Sequence, residues 1–195
     1  MEKKLDFTQI LTNAVSIGLK NLPSLLGCVV LWVLTIWIPY LNVGTTIAIS
    51  TIPAALSKGK VISPLEIFDK KYFKFMGEYF LVTGLKALIL IPAMFFLIVP
   101  AIVLSIAYSL ATLLVIDKGK GAAEALKLSN NLTYGNKLVI FLASLVMGIA
   151  IGIVFYIFSL IWSVLGLIVL ILVFPIILGF NAYIYGELAS NVPEE

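Results

Sequence analysis

Lys86 is the residue whose type and position most favour chemistry inside a membrane, because it interrupts the apolar stretch 76–98. If that stretch crosses a membrane and turns near Val99, Lys86 lies about 20 Å from the turn, at about 1.5 Å per residue. That depth is roughly 10 Å inside the inner boundary of a core about 30 Å thick, where ionisable groups are costly and often functional. The favoured alternative is that the lysine snorkels toward water or pairs locally, since Lys71 and Glu78 share its helical face.

Three further polar residues are expected near Lys86, in the inner half of the membrane. Asn181 lies at a similar depth in the apolar stretch 167–185, Glu187 follows it, and Asp117 ends another apolar stretch. A cluster of these four side chains could bind a lipid headgroup, line a solute path, or neutralise one buried ammonium group. The last interpretation requires the fewest assumptions.

Side chains suited to catalysis or metal binding are otherwise scarce. The 195 residues include no histidine, one cysteine (Cys28) and 13 lysines without any arginine. Zinc or haem ligation and arginine-based recognition of nucleic acid bases are therefore not expected. Thr83 and Lys86, one helical turn apart, form a nucleophile–base spacing that is only a minor alternative. We expect no enzyme, no catalytic residue, no metal and no cofactor.

The composition requires lipid as the solvent for much of this chain. Hydrophobic residues make up 62% of it and charged residues 12%, against about half and about a quarter in soluble domains. A domain of this size cannot hide such an excess in one core. Backbone polar groups in lipid must be paired internally, and the apolar stretches lack period-2 alternation, so they predict helices rather than barrel strands.

We therefore expect one polytopic membrane domain over residues 1–195, with an all-α integral membrane fold. It has about six transmembrane helices in three hairpins, each preceded by a cytoplasmic amphipathic helix. The predicted spans are 22–41, 43–56, 76–98, 101–116, 138–161 and 167–185. The predicted amphipathic segments are 5–20, 64–75 and 121–132.

The distribution of lysine predicts which side of the membrane each loop occupies. Twelve of the 13 lysines lie in the N-terminal segment, in 57–74 or in 118–137, while the opposite turns carry none. Because positively charged loops face the cytoplasm, both termini and these loops are expected on the cytoplasmic face of a cell (inner or plasma) membrane. Trp37 and Tyr40, at the far end of the first predicted span, suit an outer aromatic belt.

The same lysine-rich segments are candidates for binding anionic lipids, at roughly 1 kcal/mol per lysine near the surface. The candidate residues are Lys58, Lys60, Lys70, Lys71, Lys74, Lys118 and Lys120. Two of the loops also resemble each other, since Ser57-Lys58-Gly59-Lys60 and Asp117-Lys118-Gly119-Lys120 match at three of four positions. We prefer the recurrence of basic loops to internal duplication as the explanation.

A series of small residues in the fifth predicted span would allow another helix to approach closely. The series consists of Ser144, Gly148 and Gly152. Packing within the monomer is the favoured interpretation, and a homo-oligomer face is the alternative. The expected partners are therefore the lipid bilayer with its anionic lipids and a second copy or another membrane protein, but not nucleic acid.

The stretch from Ile98 to Phe141 carries a resemblance to a known family. It contains Ile98-Val99-Pro100-Ala101, a helix ending at Asp117, then Glu124-Ala125-Leu126-Lys127-Leu128-Ser129 and Gly135-Asn136-Lys137. This pattern resembles prokaryotic multi-pass membrane proteins of unknown function, a group that includes the membrane domain attached to some glycerophosphoryl diester phosphodiesterases. The resemblance implies six spans and a cytoplasmic Ala-Leu-Lys-x-Ser helix. It transfers no active residues, because the phosphodiesterase chemistry belongs to a separate domain, and the sequence departs from the pattern at Ala101, where Gly is common.

These features favour a non-enzymatic multi-pass membrane protein that acts as a scaffold, accessory subunit or lipid-contacting module. The alternative is a small transporter or channel with a polar site near Lys86 and Asn181. A polar cavity reaching the middle of the membrane would favour the alternative, whereas a dry, closed bundle would remove it.

Overall fold

The computed structural model of the chain describes residues 3–194, and these residues form helices without a strand. The all-α prediction is therefore confirmed for this part of the chain. Two short 3₁₀ segments, Pro64–Phe68 and Lys70–Phe75, precede the fourth α-helix. The α-helices are α1 (Phe7–Lys20), α2 (Leu22–Thr35), α3 (Leu41–Ser57), α4 (Met76–Phe96), α5 (Ile98–Ala107), α6 (Ala111–Lys118), α7 (Ala122–Thr133), α8 (Lys137–Ile161) and α9 (Ser163–Ala189).

Four apolar helical segments of the described chain are long enough to cross a membrane. They are Lys70–Phe96, Ile98–Lys118, α8 and α9, and a fifth arises only if α1 and α2, bent by 79°, are one span. Their length and composition confirm the coarse prediction of a membrane location. The predicted count of six is not confirmed, because α2 and α3 rise only about 21 and 26 Å at about 1.5 Å per residue, less than a hydrocarbon core about 30 Å thick.

The amphipathic segment predicted over 5–20 forms α1. It packs lengthwise along α9 in the opposite direction. Gly18 lies against the backbone of Ile176, and Gly179 lies against the backbone of Ala14. Small residues on both helices let the backbones approach closely. The predicted amphipathic segment is therefore a helix, and its buried side, which includes Ile10 and Ala14, is covered by tertiary packing.

The predicted amphipathic helix 64–75 is instead two 3₁₀ segments that contact α2 and α3. Asp69 separates them with an extended backbone (ψ 129°), and its side chain accepts a hydrogen bond from the Lys71 backbone N–H. The ring of Phe73 stacks on Tyr40 with ring centroids 4.7 Å apart. Rings this close cannot occupy opposite faces of a core about 30 Å thick. The sequence placed Tyr40 at the outer face and 64–75 at the inner one, and one of these two placements is wrong.

The predicted span 101–116 is interrupted between α5 and α6, and Ser129 on α7 hydrogen-bonds the backbone at this interruption. The buried Ser129 hydroxyl donates to the Ala107 carbonyl (2.7 Å) and accepts from the Leu110 backbone N–H (3.1 Å). Both backbone groups would otherwise lack a helical partner at the break. The Ala-Leu-Lys-x-Ser segment, recognised in the sequence for its family resemblance, therefore has a structural task in this chain.

The apolar side chains divide between two buried clusters and a broad exposed belt. One cluster joins α1, α6, α7 and the end of α9, and the other joins α2, α3 and the middle of α9. In contrast, the ends of α4, α8 and α9 expose large apolar residues such as Phe95, Phe96 and Leu160. Exposed apolar area of this extent marks a surface that meets lipid or another protein.

Candidate functional site

The charged groups at one end of the molecule gather around Asp117, the acidic residue near the end of α6. The Lys58 ammonium, just after α3, lies 2.6 Å from Asp117 Oδ1. The hydroxyl of Tyr185 on α9 donates to Asp117 Oδ2 at 2.8 Å. Asp117 is 13% exposed, so its carboxylate is largely removed from water, and both of its oxygens are occupied. Three helices that are distant in sequence are thus joined at one carboxylate.

Glu194 extends this polar network toward the C-terminal end of the described residues. Its carboxylate lies 3.3 Å from the Lys58 ammonium and 3.9 Å from that of Lys118. Burial acts to lower the pKa of Lys58, but the hydrogen bonds and negative charges of Asp117 and Glu194 outweigh it and raise that pKa. The Lys58 cation is therefore stabilised by two carboxylates.

The two similar loops of the sequence meet at this network. Gly59 and Gly119 adopt the same left-handed backbone, with φ of 71° and 72°. That conformation is accessible to glycine at little cost and ends both α3 and α6. The similarity of the two loops is visible in the sequence, but it does not predict the Lys58–Asp117 contact, which depends on how α3 and α6 pack.

Two small pockets flank the Lys58–Asp117 pair. One, of about 150 Å³, is bordered by Ser57, Lys118 and Tyr185, and the other, of about 280 Å³, by Thr51, Lys60 and Tyr72. Since the Asp117 carboxylate and the Lys58 ammonium satisfy each other, the arrangement is suited to holding helices together. Among residues 3–194, no group of three His, Cys, Asp or Glu side chains could hold a metal ion.

The cluster predicted from Lys86, Asp117, Asn181 and Glu187 is not formed. Lys86 donates to the Thr112 hydroxyl at 3.5 Å, and Glu187 pairs with Lys3 at 2.7 Å. Within residues 3–194, none of the four forms a hydrogen bond or salt bridge with another of them. The prediction is wrong because the four side chains project from α4, α6 and α9 toward different neighbours.

Asn181 instead borders a small pocket of about 200 Å³ between α5, α8 and α9, lined by both polar and apolar side chains. Ser105, Ser109 and Ser144 also line this pocket. The four side chains each donate to a carbonyl group of their own helix, at 2.8–2.9 Å. Polar side chains of three helices thus converge here without Lys86.

The predicted lipid-contacting lysines fall into three groups. Lys118 and Lys120 are buried, at 7% exposure each, and Lys120 lies 3.5 Å from Glu124, so both leave the surface where the sequence placed them. Lys58 and Lys71 are exposed but pair with carboxylates. Three are exposed and form no salt bridge with any other residue of 3–194: Lys60, Lys70 and Lys74.

The small-residue series Ser144, Gly148 and Gly152 lies on an exposed face of α8. No atom of a neighbouring element comes within 4 Å of where a Cβ would stand at Gly148 or Gly152. The favoured prediction of packing within the monomer is therefore wrong for these glycines. The close approach of helices occurs at Gly18 and Gly179 instead.

Asn136, part of the Gly-Asn-Lys step, is a further functional-looking residue whose task is structural. Its buried side chain accepts from the Leu5 backbone N–H (2.8 Å) and donates to the Lys3 carbonyl (2.9 Å). It therefore fastens the N-terminal segment to the start of α8.

Comparisons of the chain with protein-family models, curated proteins and solved structures found no match.

Proposed function

We propose that the chain is a non-enzymatic, multi-pass membrane protein that acts as a scaffold or accessory subunit. We further propose that it contacts anionic lipids with its lysine-bearing end, the end of the molecule where the lysine-rich segments 57–74 and 118–137 meet. The observation that carries this proposal is the surface of the segment 60–74. There, Lys60 and Lys70 are exposed, and the same segment exposes Val61 and Leu65, by 68% and 71%. Cations next to exposed apolar side chains suit the boundary between lipid headgroups and acyl chains.

The proposed topology has the lysine-bearing loops and both ends of the chain on the cytoplasmic face of a cell membrane. Its support is that Lys3 pairs with Glu187, while Lys58 contacts both Asp117 and Glu194. These contacts hold the N-terminal segment, two loops and the C-terminal segment at one end of the molecule. An even number of crossings, such as the four long helical segments, satisfies this arrangement.

The test compares wild type with the variant Lys60→Gln/Lys70→Gln/Lys74→Gln, each reconstituted as the full chain in vesicles of mixed phosphatidylglycerol and phosphatidylcholine. The measured quantity is the ratio of the two lipids retained after detergent extraction. We expect enrichment of the anionic lipid on wild type and a clear reduction in the variant, both weakened by salt. The matched variant with three arginines keeps the charge and should keep the enrichment. Equal retention of both lipids by wild type would contradict the proposal.

A second candidate, a small transporter or channel, is favoured only by the pocket that contains Asn181. The predicted pairing with Lys86 no longer supports it, because Lys86 contacts Thr112. Asn181→Cys in a chain whose only other cysteine has been removed by Cys28→Ala tests this candidate. Reaction with a water-soluble thiol reagent in intact vesicles would support a solute path, whereas no reaction at any reagent concentration would remove it.

A further inference from the structure

A largely apolar cleft lies between α5 and the first turns of α8. Its volume is about 430 Å³, within the range of about 300–1,000 Å³ that is typical of small-molecule sites. We name it the Lys137 cleft, because Lys137 lines it with the aliphatic part of its side chain, while the ammonium group lies at Asn130 beyond the apolar lining. The lining residues are Val99, Ile102, Val103, Ile106, Leu138 and Phe141, together with Lys137.

The charge of Lys137 is positioned without being neutralised. Its ammonium donates to the amide oxygen of Asn130 on α7 at 2.7 Å. Within residues 3–194 no carboxylate forms a salt bridge with it, whereas Lys58 is paired with Asp117 and Glu194. A neutral amide orients the ammonium but leaves its positive charge available for an anion.

The location of the cleft places a cation beside an opening toward lipid. Lys137 begins α8 directly after Asn136, which binds the N-terminal segment at the polar end of the molecule. The cleft extends from there along α5, where Val99 is 70% exposed, and along α8, where Leu138 is 68% exposed. An amphiphile that enters from the bilayer would thus meet an apolar trough first and a cation at one end.

We propose that the Lys137 cleft binds one anionic phospholipid of the bilayer, with an acyl chain between α5 and α8 and its phosphate group on the Lys137 ammonium. A molecule with an apolar chain and a terminal anion fits an apolar cleft whose bordering lysine holds its ammonium group just outside the lining, at Asn130. The inference deepens the lipid-contacting role proposed above and depends on it only in requiring that the chain lie in a bilayer. Lys60, Lys70 and Lys74 take no part in it.

The test counts phospholipids bound to the intact full-length chain by native mass spectrometry, with phosphatidylglycerol and phosphatidylcholine offered together. We expect one tightly retained phosphatidylglycerol on wild type. Lys137→Gln should weaken that retention about fivefold, the effect of one lysine near a lipid surface. Lys137→Arg should restore it, and Lys127→Gln, which removes an exposed charge of α7 outside the cleft, should leave it unchanged.

A second variant tests the apolar wall independently of charge. Val103 is 41% exposed, so Val103→Trp can be accommodated while it fills the trough, and the retained lipid should be lost although Lys137 is present. Unchanged retention in both Lys137→Gln and Val103→Trp would overturn the inference. If these variants lose the bound lipid while the triple glutamine variant keeps its overall anionic enrichment, the cleft stands and the broader lipid-contact proposal fails. The reverse result would retain the broader proposal and remove the cleft.

Discussion

The ammonium nitrogen of Lys58 lies 2.6 Å from Oδ1 of Asp117, although 59 positions separate the two residues in the chain. The contact joins the end of α3 to the end of α6, and Tyr185 adds α9 through the second carboxylate oxygen. Because the pair is partly shielded from water, removing Asp117 leaves Lys58 with only the more exposed carboxylate of Glu194 as a partner. This one contact therefore links the N-terminal half of the chain to its C-terminal half.

Asp117→Asn should lower the thermal stability of the purified protein in detergent. Lys58 is 36% exposed, so solvent screening limits the loss to about 1 kcal/mol, or about 2–4 °C in the unfolding midpoint of a chain of this size. The double variant Asp117→Asn/Lys58→Met should recover part of the loss, because it removes a cation whose remaining partner is the exposed Glu194 carboxylate. The single variant Lys58→Met completes the comparison. If the loss of stability in the double variant equals the sum of the losses in the two single variants, the pair is not coupled.

The pH dependence of this effect follows from the raised pKa of Lys58. A raised pKa means that the folded protein holds the proton more tightly, so the stabilisation is fully present below the unfolded lysine pKa of about 10.4. It is lost as the pH rises through the higher folded value. The difference in unfolding midpoint between wild type and Asp117→Asn should be constant between about pH 6 and 9 and shrink in more alkaline solution. A difference that vanishes near neutral pH would assign the stabilisation to another group.

Gly179→Ala and Gly148→Ala make the same chemical change in two membrane helices, with opposite expected results. A methyl group at Gly179 would collide with the Ala14 backbone where α1 crosses α9, so a loss of about 1–3 kcal/mol is expected. A methyl group at Gly148 meets open space and gains helix propensity of up to about 1 kcal/mol. Thermal unfolding in detergent compares the two. Equal effects would mean that α1 does not pack on α9 as described.

Ser129→Ala should destabilise the protein, because it leaves the Leu110 N–H and the Ala107 carbonyl without their partner at the break between α5 and α6. The expected loss is about 1–3 kcal/mol for unsatisfied buried polar groups. Ser105→Ala is the matched control, since that exposed hydroxyl bonds only the Ile102 carbonyl of its own helix. Amide hydrogen exchange should speed up around Leu110 in Ser129→Ala alone. Unchanged exchange there would show that Ser129 does not hold the break.

Single cysteines in the Cys28→Ala background should report one common side for the lysine-bearing end. Lys60→Cys, Lys127→Cys and Asn191→Cys are exposed positions there and should react with an impermeant thiol reagent from the same side of sealed vesicles. Trp162→Cys, at the turn between α8 and α9, should react only from the other side. Cys28 is the single cysteine of the chain, so its replacement by alanine leaves each introduced cysteine as the one thiol that can react. Labelling of Lys60→Cys and Lys127→Cys from opposite sides would refute the proposed topology.

Four of the six predicted spans agree with long helical segments of the structure, and the first two do not. The agreement is good for α8 and α9 because long apolar stretches are recognisable from local composition alone. It is poor for α2 and α3 because the sequence does not reveal that Tyr40 and Phe73 stack and bring the predicted outer and inner segments together. Apolar stretches of this length fit a short packed helix and a membrane span equally well.

The candidate site was less predictable than the helices. The loops carrying Lys58 and Asp117 were recognisable by their similarity, but their contact was not, and Lys86 was assigned partners that it does not have. Counting residues along one helix gives the depth of a side chain in the membrane. The direction in which that side chain projects depends instead on how neighbouring helices pack. Likewise, the small-residue series on α8 predicts close packing of that helix, whereas the close approach of backbones occurs between α1 and α9.

Composition and hydropathy by themselves determined that this chain is helical and belongs in a membrane, because the cost of exposing unpaired backbone and charge to lipid acts on each segment separately. The tertiary structure alone decided that α1 packs along α9, that Lys58 meets Asp117, and that Lys137 borders an apolar cleft with no salt bridge to a carboxylate among residues 3–194. Such relations join residues far apart in the chain. They depend on the packing of several helices at once, which no local pattern in the sequence specifies.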